Sequence, residues 1–124
     1  MTLEQAYKKV HMMDEVLNSD ILNDEEYASV AKRRFKLMEQ IGLEEQRQKQ
    51  LAIKTISPDA WQRGFLDNYV MQGHKIHHLT YQQVDVFRRI NGYESFRYSG
   101  FIFKIVMNSL LVEKINEKSF LEEI

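Results

Sequence analysis

Apolar residues recur at helical spacing through the first half of the chain. Leu3, Ala6, Tyr7, Val10, Met13 and Leu17 fall on one face, and Lys8, Lys9, Asp14 and Glu15 fall on the other. Thr2 and Gln5 stand in front of this pattern as a T-x-x-Q capping box. A first helix is therefore predicted over residues 3–18. Asn23, with Glu26 in the matching position, opens a second. Its apolar stripe is Tyr27, Val30, Ala31, Leu37, Met38 and Ile41, flanked by Phe35. The pattern carries to Lys54, a helix about 45 Å long at 1.5 Å per residue. Gly42 lies inside it, where a glycine costs about 1 kcal/mol relative to alanine, so a bend or break is expected there. Residues 44–50, EEQRQKQ, are polar on every side. Such a helix projects into solvent or bridges to something else. Residues 1–54 thus read as an antiparallel helical hairpin whose second arm overhangs the first.

The stretch 56–92 carries two more helix starts. Ser57 is placed as an N-cap with Pro58 at the first helical position, and Ile56 is placed as a staple for Trp61. Trp61, Phe65, Leu66, Tyr69 and Val70 form the buried side of a helix ending near Gln72, with Gly73 as its stop. Thr80 and Gln83 make the second box, Leu79 and Val84 its staple, and Val84, Phe87 and Ile90 the buried stripe. Asn91-Gly92 closes this helix. The centre is a helix-turn-helix-like pair joined by the linker 73–79.

After Gly92 the period is ambiguous. Residues 96–99 and 101–107 are rich in aromatic and β-branched side chains, and Ser99-Gly100 and Asn108-Ser109 are turn dipeptides. These features predict a meander of strands at 95–98, 101–107 and 110–115. The rival is one helix from Gly100 to Glu117. The tail 116–124 reads as a short final helix or a frayed end. The expected fold is α+β and predominantly helical, one domain over residues 1–124, with all-α as the alternative. A helix pair followed by a β-hairpin resembles a winged helix in element order, an analogy at the level of fold alone.

Composition narrows the function classes. The 124 residues carry a net charge of −1, which argues against a strongly cationic nucleic-acid binder but leaves room for a local basic patch. The chain has no cysteine, so disulfides, thiolate catalysis and cysteine-ligated metals are excluded. That suits a reducing cytoplasm, the expected location. The start, MTLEQAYKK, has no apolar core of a secretory signal. The longest apolar run, Phe101 to Val112, is interrupted by Lys104, Asn108 and Ser109 and is too short to span a membrane.

Candidate binding residues follow from local charge. Lys32, Arg33, Arg34 and Lys36 are the densest basic cluster. Gln82, Arg88 and Arg89 lie on the second central helix, where a helix-turn-helix would present them to a groove. Arg97 opens a run, residues 97–104, that interleaves basic and aromatic side chains as the aromatic strand of an RNA-recognition motif does, without that fold's element order. His74, His77 and His78 are the one cluster with metal-ligand chemistry, but no closed set of four ligands surrounds them, so loop histidines are the preferred reading. No nucleophile elbow, P-loop, His-Glu-x-x-His or dinucleotide motif is present. The carboxylates of Asp24-Glu25-Glu26 and Glu44-Glu45 read as cap and solvent charges. The expectation is a non-catalytic interaction or accessory module without a cofactor, able to self-associate, with a nucleic-acid-processing protein as the partner class. The alternatives are a winged-helix-like nucleic-acid-binding protein and, behind it, a His-dependent metalloenzyme.

Overall fold

Three of the four helices begin at the local signals that the sequence offers. The computed structural model describes residues 1–121. Its elements are α1 (Leu3–Leu17), α2 (Asp24–Leu51), α3 (Ala60–Met71), β1 (Lys75–His78), α4 (Tyr81–Asn91), β2 (Phe96–Tyr98), β3 (Phe101–Val106) and β4 (Ser109–Lys114). The α+β, predominantly helical architecture is as expected. In α1 the Thr2 hydroxyl accepts from Gln5 N–H, and the Gln5 side chain accepts from Thr2 N–H. The same reciprocal pairs form between Asn23 and Glu26 and between Thr80 and Gln83. Each box satisfies backbone donors that the first helical turn leaves without partners.

The third helix starts later than predicted. Its N-cap is Asp59, whose N–H donates to Gln62 Oε1 at 3.0 Å, and Ser57 stays outside the helix. Asp59 and Gln62 have the capping-box spacing, which outcompetes the Ser57-Pro58 signal. The shift turns Trp61 outward, and it is half exposed rather than stapled to Ile56. α2 ends at Leu51, short of Lys54. Residues 54–56 run beside β2 instead: Arg97 N–H donates to Lys54 O and Ile56 N–H to Arg97 O. Pairing with a sheet edge satisfies these backbone groups better than another helical turn. α2 is continuous through Gly42, where a Cβ would meet nothing within 4 Å.

The described chain divides into two compact units, Gln50–Asn116 and Met1–Lys49 with the residues from Glu117 onward. The unit Gln50–Asn116 holds a four-stranded antiparallel sheet in the order β1-β4-β3-β2. The linker between α3 and α4, read from sequence as a loop, contributes β1, whose Ile76 stands opposite Leu111 of β4. Ser99 and Gly100 both have positive φ, 52° and 79°, as a two-residue hairpin turn of right-handed twist demands. The second turn is Met107-Asn108, one residue before the expected dipeptide, because Val106 pairs with Ser109. Strand alternation sends Phe96, Phe103, Leu110 and Val112 to one side, where they bury with Leu66, Tyr69, Leu79 and Phe87. Phe96 and Phe103 stack at 5.0 Å across the β2–β3 pair.

In the other unit, Ala6 and Val10 of α1 bury with Leu37 and Ile41 of α2 and with Leu121. Residues 116–121 form no helix, and Leu121 is a core residue. The remainder of the predicted tail, 122–124, lies outside the described residues. Glu44 corrects the reading of 44–50 as polar all round, being 2 % exposed. It accepts from Arg47 Nη1 at 2.9 Å, Gln48 Nε2 at 3.1 Å and Phe120 N–H at 3.0 Å. Burial pushes its carboxyl pKa up, but these donors, with the Ser119 side chain and the Arg47 charge, outweigh burial and hold it below the ordinary value.

Candidate protein-interaction surface

Helix α2 has more apolar surface than its own unit covers. Its buried side is Leu37, Ile41 and Glu44. A second stripe, Ala28, Ala31, Phe35, Met38 and Gly42, follows the alternating three- and four-residue spacing of a helix seam. At 100° per residue it lies about 130°, more than a third of a turn, from the buried side. Phe35 is 64 % exposed, Met38 39 % and Tyr27, beside them, 51 %. The sequence pattern placed Tyr27 and Met38 in the core stripe. The structure keeps them out because α1 covers only the arc centred on Leu37 and Ile41. Phe35 was legible only as a flanking residue, and its isolation between Arg34 and Lys36 is the one signal that separates it from the core.

The four basic residues of the α2 cluster part ways. Arg34 turns to α1, where its Nε meets Asp14 Oδ1. Arg33 Nη2 lies 3.4 Å from Ser29 Oγ at the surface. Lys32, Arg33 and Lys36 are exposed, and so is Glu39, seven residues after Lys32 on the same edge of the helix.

The α4 and β2 candidates belong to the other unit, Gln50–Asn116. Arg88 and Arg89 both close on Asp85, at 2.8 and 2.9 Å, and Gln82 is exposed one turn earlier. The Arg88 hydrogen bond and the two guanidinium charges hold the Asp85 carboxyl below its ordinary pKa. Arg97 is drawn inward: its Nη1 donates to Leu51 O at 2.8 Å, and its Nε is buried without a hydrogen-bond partner. Tyr98, within the mixed basic and aromatic run 97–104, is half-buried, with its hydroxyl donating to Asp67 Oδ1 at 2.6 Å.

Strand geometry separates the histidines. His77 and His78 are neighbours on β1, so they point to opposite faces of the sheet. Among the described residues no group of three or more His, Asp or Glu side chains could hold a metal ion. His77 stands edge-on to Tyr69 at 4.9 Å in a cleft of about 300 Å³ that Asn68, Gln72 and Gln83 also line. Its Nε2 is buried without a partner. Burial, and then the Lys75 charge, lower its pKa and so favour the neutral ring.

Among the described residues no helix is long and apolar enough to cross a membrane. Comparison of the chain with protein-family models, with curated proteins and with solved structures found no match. The reading of function therefore rests on surface chemistry, and the apolar stripe of α2 is a feature that its own unit leaves exposed.

Proposed function

We propose that this chain is a non-catalytic protein-interaction module, an accessory to a larger assembly, that docks through the uncovered stripe of α2. The exposure of Phe35 in the middle of that stripe carries the reading. Large apolar side chains grouped on one helix face mark interaction sites more than singly scattered ones do. Fully burying a Phe or Met side chain is worth roughly 1.5–3 kcal/mol. Completing the burial of Phe35 and Met38, with part of Tyr27, would supply on the order of 2–4 kcal/mol to a complex. Ala28, Ala31 and Gly42 let a partner backbone come close along the same seam. Lys32, exposed at its edge, also suits a partner that itself handles nucleic acid.

The test is a photo-reactive phenylalanine analogue placed at position 35 and, as a control, at position 82 on α4. Protein adducts at 35 and none at 82 are expected. Absence of any protein adduct at 35 would overturn the reading.

A second reading has Lys32, Arg33 and Lys36 contact a phosphate backbone, and their joint exposure on neighbouring turns favours it. It requires that a labelled oligonucleotide bind at low salt, that binding fall steeply as salt rises, and that K32E/K36E abolish it. Arg88 and Arg89 add little to this reading, because Asp85 neutralises part of their charge.

A further inference from the structure

We infer that the occupant of the α2 stripe is a second copy of this chain, with the two α2 helices antiparallel about a two-fold axis passing between Lys36 and Leu37. This inference rests on the docking reading above and names its partner. In the seam, Ala28, Phe35 and Gly42 occupy one repeating position and Ala31 and Met38 the other. The two-fold register sets Phe35 against Met38 of the second copy, and Met38 against its Phe35. An aromatic ring against a thioether is a favourable contact. The next layers outward pair Ala31 with Gly42 of the second copy. Small side chains there let the backbones close on the central Phe–Met layers. The seam is self-complementary, as an isologous contact must be.

Charge selects this arrangement over its neighbours. Lys32 and Glu39 are seven residues apart, so they share one edge of the seam, and both are exposed. In an antiparallel pair like edges face each other. Lys32 therefore faces Glu39 of the second copy, and the contact occurs twice. Glu25 and Gln46 face each other further out on the same edge, so no like charges meet. Sliding the antiparallel pair by one heptad sets Lys32 against Lys32 of the second copy. A parallel pair sets Glu39 near Arg34 of the second copy, a cation that Asp14 already holds. It leaves Lys32 opposite Tyr27, with no counter-charge. The seam from Ala28 to Glu45 is about 25 Å long at 1.5 Å per residue, short for a two-helix contact, so the dimer is concentration-dependent.

The experiment is sedimentation velocity on the full chain over a concentration series reaching about 500 µM, a range that captures weak interfaces. The wild type is expected to pass from monomer to dimer. K32E and E39K are each expected to weaken it about tenfold, since each turns two attractive contacts into two repulsive ones. The K32E/E39K double variant restores the pairing, and its affinity returns to within about threefold of wild type. F35D yields a monomer. Both charged positions are on the surface, so the swaps leave the core intact, and circular dichroism verifies the helix content. A wild type that stays monomeric to the top concentration overturns the inference. So does E39K weakening without K32E weakening, or a double variant that is not rescued. If self-pairing fails while the crosslinker at position 35 still captures a different protein, the docking reading survives alone. If it captures none, both fall.

Discussion

Replacing Glu44 by alanine strips the acceptor from four donors at once. Arg47 Nη1, Gln48 Nε2 and Phe120 N–H converge on this carboxylate, with the Ser119 side chain as the fourth. The Arg47 side chain is itself only 14 % exposed, so its charge loses the Glu44 carboxylate in a poorly hydrated place. Breaking a buried pair by removing one member costs about 3–5 kcal/mol. Arg47 keeps the Glu117 carbonyl at 2.8 Å, which moderates the loss. About 3 kcal/mol is therefore expected for E44A. E44Q retains an oxygen for the Phe120 N–H and loses the charge, so about 1–2 kcal/mol is expected. The pH dependence has a definite sign. The folded carboxyl titrates below its ordinary value, so its contribution is complete above about pH 4.5, the ordinary glutamate range. The contribution disappears as pH falls through the lower folded-state value. Urea unfolding followed by helical ellipticity, run from neutral pH into acid, measures both quantities. The gap between wild type and E44Q should narrow in acid. An E44A cost below about 0.5 kcal/mol, the range of ordinary surface substitutions, would refute the burial argument. A wild-type-to-E44Q gap independent of pH would refute the charge argument.

Three further outcomes can be checked by thermal or chemical unfolding. G42A should stabilise the chain by up to about 1 kcal/mol, because α2 is continuous there and an added Cβ meets nothing. T80A should cost about 1 kcal/mol by removing the acceptor for the Gln83 N–H. His77 titrates below its ordinary value, so stability should be full above about pH 6.5 and decline as pH falls through the folded-state pKa. An NMR titration of the His77 ring reads that pKa directly, and H77Q should remove its part of the decline.

How much of this was legible follows from how far apart the interacting partners lie along the chain. The boxes at Thr2, Asn23 and Thr80 could be read because cap and partner are three residues apart. The β-meander could be read because its turns and its aromatic, β-branched strands are also local. At Asp59 two local signals overlapped, and spacing alone does not say which one wins. Glu44 could not be read. Its acid looks like a solvent charge until Phe120 folds back onto it across most of the chain. Arg97 is the same case in reverse. It looks like a phosphate contact until the Leu51 carbonyl captures its guanidinium.

The α2 stripe shows the limit most sharply, because there the pattern was right and the inference from it was not. Helical periodicity reports which residues share a face, and it cannot report what covers that face. Tyr27, Ala31, Leu37, Met38 and Ile41 look like one stripe in sequence, yet α1 covers only part of that arc. The remaining part is apolar without being core. A helix that spreads apolar residues over more of its circumference than one neighbour can cover has a place for a second neighbour. Phe35, set between Arg34 and Lys36, extends the arc on its far side, and the Lys32–Glu39 edge bounds it there. An edge of mixed sign at a seven-residue interval favours one register of contact over its neighbours, whereas a core face needs no such device. That is why the edge charges, beside the exposure of Phe35, support the proposal that this stripe is an interface.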